Sequence, residues 1–209
     1  EGIEGCGKST QIGLLAAALQ QSGYRVIQTR EPGGCPIANQ IRSILLDAGN
    51  HAMVPTTELL LYAAARAQHL AEIVRPALAA GNVVLCDRFS DATRAYQAFG
   101  RGIERATIET LNTLACKDLA PALTLLLDCP IEVGRGRARQ RIENSSGPRE
   151  ERFELESLAF HQRVREGYLQ LAAEEPQRFR VINANETPEV VAEAILADVH
   201  ARLTGAVTP

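Results

Sequence analysis

Four short stretches of the chain are predominantly apolar and too short for helices: YRVIQT (24–29), NVVLCD (82–87), ALTLLLD (122–128) and FRVINA (179–184). They predict strands, and strands apolar on both faces predict burial on both faces. Between them apolar residues recur at helical spacing over 8–21, 36–48, 56–80, 104–117, 131–143, 154–174 and 187–203,. Strands and helices alternate, so the expected fold is α/β, a parallel β-sheet covered by helices on both faces. Ligands in such folds sit beyond the carboxyl ends of the strands, and the most distinctive short motifs of this chain fall there.

Composition narrows the picture. A length of 209 residues suits one domain, 1–209, with a substantial core, and 45% hydrophobic with 22% charged residues is ordinary for a globular protein,. Aromatics are only 4% with no Trp, so the core must rest on Leu, Val, Ile and Ala. A net charge of −3 makes no global case for a nucleic acid polymer as partner; any anion site must be local,. Cys6, Cys35, Cys86, Cys116 and Cys129 are odd in number and lack metal-ligand spacing, which argues for reduced thiols and a cytoplasmic location,. No apolar run reaches the roughly 20 residues of a membrane span. The histidines (His51, His69, His161, His200) have no metal spacing and read as structural or exposed.

The first ten residues, EGIEGCGKST, contain G-x-x-x-x-G-K-S from Gly2 to Ser9. Gly2, Gly5 and Gly7 let the backbone curl so that several N–H groups point at one anion. Lys8 supplies a point charge for the β- and γ-phosphates of a nucleotide, and Ser9 a hydroxyl for Mg²⁺. The helix starting near Lys8 adds its positive end. The nucleotide-phosphate stretch is therefore Gly2, Ile3, Glu4, Gly5, Cys6, Gly7, Lys8, Ser9 and Thr10,. A phosphate loop is normally anchored by a buried strand, which predicts such a strand upstream of Glu1.

No N-K-x-D guanine reader is present, as a GTPase switch would require. A small kinase needs a second site for its acceptor, and three segments offer one. TREPGG (29–34) holds Arg30 and Glu31 on a flexible loop after a strand, and DRFSDATRAYQ (87–97) places Asp87 and Arg88 at the end of NVVLC. LLLYAAARAQH (59–69) puts Tyr62 and Arg66 at i and i+4, on one helix face,.

Together EGIEGCGKST, TREPGGCPIANQIR, LLLYAAARAQH, VVLCDRFSDATRAYQAFGRG and RFELESLAFHQRVREGYL resemble the bacterial thymidylate kinases, in family order from residue 1 to about 169. The resemblance implies the phosphate-loop nucleoside monophosphate kinase fold, a homodimer, and transfer of phosphate from Mg·ATP to dTMP. It implies Tyr62 as the aromatic on which thymine stacks, where the family more often has Phe. Arg66, Thr93 and Gln97 become base contacts, and Tyr96 the ring that packs on the sugar. Arg42 and Arg88 become the clamp on the acceptor phosphate. Glu4 and Glu31 resemble carboxylates that hold the sugar hydroxyl or organise Mg²⁺ through water. Asp87, with Ser9, is assigned to the metal.

The attacking group is a phosphate oxygen, already anionic at neutral pH, so alignment and charge neutralisation suffice without a strong base. This predicts Lys8 and mobile arginines. The lid expected over 134–153 supplies Arg135, Arg137, Arg139, Arg141, Arg149 and Arg152; by resemblance Arg152 is the lid arginine and Arg141 the second choice. Cys6, Cys35 and Ala92 replace residues commoner in the family, and ENSSGPREE lengthens the lid. Two other readings stand beside this one: a nucleoside monophosphate kinase of different base preference, and a non-catalytic nucleotide-binding module. An RNA-binding strip at 135–152 lacks interleaved aromatics, with only Phe153 at its edge,.

Overall fold

The computed structural model describes residues 1–143 and 152–205, apart from the side chain of Arg141. The four strands expected within residues 1–209 form: β1 Val26–Arg30, β2 Val83–Asp87, β3 Thr124–Asp128 and β4 Phe179–Asn183. The pairing is parallel, but as two pairs and not as one continuous ladder. β1 runs beside β2 with Val26 opposite Val83 and Arg30 opposite Asp87. β3 runs beside β4 with Thr124 opposite Phe179 and Asp128 opposite Asn183. The neighbour of β3 on its other side is Glu1, whose amino group donates to Leu125 O at 2.8 Å and whose carbonyl accepts from Leu127 N at 3.0 Å. The Glu1 carboxylate reaches across to accept from Phe89 N at 2.6 Å, tying the start of the phosphate loop to the segment after β2.

The helices follow the expected periodicity. They are α1 Lys8–Gln21, α2 Pro36–Leu46, α3 Pro55–His69, α4 Arg75–Ala79, α5 Ser90–Thr93, α6 Arg105–Cys116, α7 Ile131–Glu143, α8 Leu158–Glu174 and α9 Pro188–Gly205. Proline opens α2 and α3, where its missing N–H costs nothing,. The helix expected over 56–80 is continuous but widens into a π-turn at Leu70–Val74 before α4. Pro76 has no N–H to offer the carbonyl of Glu72, and the wider turn relieves that gap. α8 starts later than expected, with the Ser157 hydroxyl accepting from Phe160 N at 3.2 Å as its cap,.

One helix went unexpected. α5 continues as a π-helix, Arg94–Gly100, and so carries residues 90–100. Ser90, Asp91, Thr93 and Ala95–Ala98 are all buried, so no polar face marks the helical period,.

The main core cluster joins Leu15 and Leu19 of α1, Leu126 of β3, Ile182 of β4, Ile195 of α9 and Leu171 of α8. Each such buried side chain contributes about 1.5–3 kcal/mol relative to exposure. The site's position follows from the strand ends: β1 delivers Arg30 and Glu31, β2 delivers Asp87 and Arg88, and Glu31 N donates to Asp87 O at 3.0 Å.

Candidate active site

The phosphate loop is built as its glycines require. Gly7 caps α1 in the left-handed region at φ 98°, and the α1 amides of Thr10 and Gln11 return to its carbonyl. Gly5, at φ 71°, lies where a Cβ would fall 1.9 Å from the carbonyl oxygen of Gly134, so the loop and α7 touch backbone to backbone,. Lys8 Nζ arches over the loop to Gly2 O at 3.1 Å and Ile3 O at 2.8 Å. Ile3 and Cys6 are buried beneath it.

Glu4 sits at the middle of the next group. Its Oε1 accepts from Arg88 Nη2 at 2.9 Å and from the Tyr96 hydroxyl at 2.5 Å, and its Oε2 lies 3.5 Å from His161 Nδ1. Burial alone would raise the Glu4 carboxyl, but His161, Arg88, Lys8 and Tyr96 together outweigh it and hold the group far below the ordinary carboxylate range,. Arg88 also donates to the Tyr168 hydroxyl at 3.1 Å and lies 4.8 Å from the centre of the Tyr96 ring,. Burial pushes the Tyr96 hydroxyl well above its usual value. Arg88 itself has φ 71°, a left-handed backbone that costs a non-glycine residue about 1–3 kcal/mol and that surrounding contacts must impose,.

Two further buried groups line the acceptor side. Glu31 accepts from Arg66 Nε at 2.7 Å and pairs with His69 Nδ1 at 3.0 Å, so both its oxygens are occupied. Arg66 also donates to Asn112 Oδ1, Thr93 Oγ1 and Phe89 O at 2.8, 2.8 and 3.2 Å. Glu58 is fully buried and binds Gln97 at 2.7 Å, Arg101 at 3.1 Å and Arg152 at 2.6 Å. Tyr62 stands near Phe153, ring centres 6.4 Å apart, and Tyr96 meets Phe153 edge-on at 5.4 Å.

One cleft of about 1540 Å³ joins these parts. Gly5, Lys8, Ser9 and Thr10 line its phosphate end; Arg42, Tyr62, Arg66, Arg88, Tyr96 and Gln97 line its acceptor end; Arg135, Arg137 and Arg139 of α7 stand along the rim. Asp87 and Ser9 line both this cleft and a smaller adjoining pocket of about 370 Å³. Asp87 Oδ1 is buried without a hydrogen-bond partner in the protein. An orphaned carboxylate oxygen beside a hydroxyl is the hard-oxygen donor set that Mg²⁺ takes when phosphate oxygens and water fill its remaining positions.

The cleft gathers most of the expected residues, with exceptions. Thr93 stands behind Arg66 as its acceptor and does not line the cleft. Glu31 lines the cleft, but both its oxygens already face Arg66 and His69. Arg152, expected as the lid arginine, does not line the cleft: it is buried on Glu58 and donates to Leu45 O at 2.5 Å, although its Nη2 has no partner. The side chain of Arg141, and Arg149 with the rest of 144–151, lie outside the described residues. Glu58, Phe153, His161 and Tyr168 were not foreseen. Of these, His161 reads from the sequence as structural or exposed, yet it lines the cleft with its Nε2 buried and unpartnered. Its signal was available only as membership of the stretch RFELESLAFHQRVREGYL.

A glycine-rich loop that leads from the edge of a parallel pair into a helix N-terminus, facing an arginine-walled acceptor site at the next strand ends, defines a phosphate-loop kinase of the α/β type. The family model described as thymidylate kinase matches residues 1–195. The chain is similar to the thymidylate kinase of Trichlorobacter lovleyi, with 73% identity over 203 residues covering 97% of this chain and 96% of that one. It is 64% identical to the thymidylate kinase of Geobacter sulfurreducens over 199 residues, covering 95% and 93%. The crystal structure of thymidylate kinase from Ehrlichia chaffeensis matches at a TM-score of 0.76 and 31% identity, covering 95% of each chain. The chain belongs to the thymidylate kinase family.

Proposed function

We propose how this cleft carries out its family's reaction, the transfer of the γ-phosphoryl group of ATP to dTMP to give dTDP and ADP. The observation that carries the reading is the single cleft with the phosphate loop at one end and Tyr62, Arg42 and Arg88 at the other. Loop amides and the α1 N-terminus hold the ATP phosphates, and Lys8 exchanges its bonds to Gly2 and Ile3 for phosphate oxygens,. Ser9 and Asp87 hold Mg²⁺ through oxygen, which supplies charge neutralisation on the phosphates when bound. Thymine stacks on Tyr62, and stacking of this kind contributes about 1–3 kcal/mol without choosing the base. Arg66 and Gln97 supply the directional contacts. Arg42 and Arg88 clamp the dTMP phosphate, for which a planar two-pronged donor is suited. Glu4, held ionised, accepts from the sugar hydroxyl through Oε2, which also lies 3.5 Å from His161 Nδ1.

The acceptor oxygen is anionic at neutral pH, so catalysis is alignment plus neutralisation of the transferred group. Arg135 and Arg139 stand on the cleft rim and are the candidates to close on it, while Arg152, anchored by Glu58 behind the cleft, steadies the acceptor wall. The five cysteines are free, which supports a reducing cytoplasmic setting,. No helix among the described residues is long and apolar enough to cross a membrane. Exposed Ile37 and Ile44 on α2, Leu60 on α3 and Leu114 on α6 support a homodimer through those helices.

The test is ADP release from Mg·ATP with dTMP, dUMP, dGMP, dCMP and dAMP in parallel, each repeated with excess chelator. Strong turnover with dTMP, weaker with dUMP, negligible with the rest and none under chelation is expected. Equal turnover on a purine acceptor would overturn the base-site roles and leave the phosphate loop standing.

A further inference from the structure

Arg66 and His69 are three apart on α3, on the same helix face, and both reach the same carboxylate, Glu31,. His69 is fully buried, and its second nitrogen, Nε2, lies 2.6 Å from the hydroxyl of Thr29 in β1. Two strand-end residues and one helix thus form an unbroken chain, Thr29–His69–Glu31–Arg66. We propose that Thr29, His69 and Glu31 are a relay that fixes the Arg66 guanidinium in one orientation for the acceptor base, which makes His69 a positioning residue.

The chemistry assigns each hydrogen. A carboxylate only accepts, so His69 Nδ1 carries the hydrogen toward Glu31, and in the neutral ring Nε2 accepts from the Thr29 hydroxyl,. Glu31 thereby sets the tautomer, and the Thr29 hydroxyl on Nε2 holds the ring at the angle that keeps Nδ1 on Glu31,. Glu31 Oε2 is left to take Arg66 Nε, and of the four groups that Arg66 binds only Glu31 is charged. Arg66 has five N–H groups and these contacts use four, so one N–H on Nη1 is left for a single acceptor atom in the cleft. A long side chain serves such a narrow purpose only if its other freedoms are removed.

The loop around the relay is shaped to fit it. A Cβ on Gly34 would fall 2.5 Å from His69 Cδ2 and 2.6 Å from Thr29 Oγ1, and Gly34 has φ 89°. The second glycine of EPGG therefore lets the backbone pass directly over the Thr29–His69 contact. The three relay residues act on dTMP through Arg66.

The proposal rests on the reading of Arg66 as a base contact, so the experiment separates the two. Thr29→Val, Thr29→Ser, His69→Leu and Arg66→Gln are compared for kcat, KM for dTMP and KM for ATP. Thr29→Val and His69→Leu are expected to raise the KM for dTMP about tenfold, the scale of one lost hydrogen bond to a charged group, with the KM for ATP unchanged. Thr29→Ser, which keeps the hydroxyl, is expected to restore the wild-type value. A normal dTMP KM in Thr29→Val, equal effects of Val and Ser, or parallel rises in both KM values would each overturn the relay. If Arg66→Gln raises the dTMP KM and Thr29→Val does not, the relay fails alone. If Arg66→Gln leaves that KM unchanged, the base-contact reading fails and takes the relay with it. Should His69→Leu not fold, the two Thr29 variants decide, because Thr29 is only half-buried and valine keeps its shape.

Discussion

Glu4 is the residue on which most of the site's polar geometry converges, and its environment makes a pH prediction. Its folded carboxyl is held below the unfolded value of 4.5 by His161, Arg88, Lys8 and Tyr96 against the opposing effect of burial. The unfolded state therefore binds the proton first as acid is added. The stability due to Glu4 is complete above about pH 4.5 and is lost as the pH falls through the depressed folded value. Urea unfolding at pH 7, 5 and 3.5 is expected to show a shallower acid loss in Glu4→Gln than in the parent chain. Identical slopes would remove Glu4 from the acid response. Glu4 was legible as a carboxylate of the loop. Its partners Tyr96, Arg88 and His161 lie 92, 84 and 157 positions away in sequence, and no periodicity connects such distances.

At the scale of elements, the decisive contact is α7 on the phosphate loop. A Cβ on Gly134 would lie 2.6 Å from the carbonyl oxygen of Glu4, and one on Gly5 would strike Gly134 in return. Because α7 carries Arg135 and Arg139, a shift of its first turn moves the cleft rim. Gly134→Ala is expected to cut kcat/KM for ATP about tenfold or more, since displacing aligned groups by about an ångström is costly. Steady-state kinetics in varied ATP checks this, with far-UV circular dichroism as the control for folding. A second element-level prediction concerns the buried Arg152–Glu58 pair, which links the start of the 152–157 segment to α3 and, through Gln97, to the π-helix. Arg152→Met leaves a buried carboxylate with fewer partners and is expected to cost about 3–5 kcal/mol of unfolding free energy, offset in part by Arg101,. An unchanged denaturation midpoint would mean that Arg101 alone satisfies Glu58. Strands and most helices were readable from apolar period. The helix over 90–100 was not, since a helix buried on most sides shows no amphipathic stripe.

For the whole molecule, the exposed apolar residues of α2, α3 and α6 predict self-association. Light scattering is expected to give twice the 22.6 kDa chain mass, and Ile44→Glu with Leu60→Glu to return it to a single chain,. A monomer in the parent chain at micromolar concentration would overturn this.

The sequence by itself determined the fold class, the phosphate loop and the family, because these depend on local period, on glycines at fixed spacing and on contiguous motifs. It also named most of the residues that the cleft gathers. Only the tertiary structure decided what each of them faces. It set Glu31 behind Arg66, fixed Arg152 on Glu58, brought His161 to Glu4 and made two parallel pairs with Glu1 beside β3. The physical reason is that a charged side chain's role is set by the partners available where it is buried, and those partners come from distant parts of the chain brought together by packing.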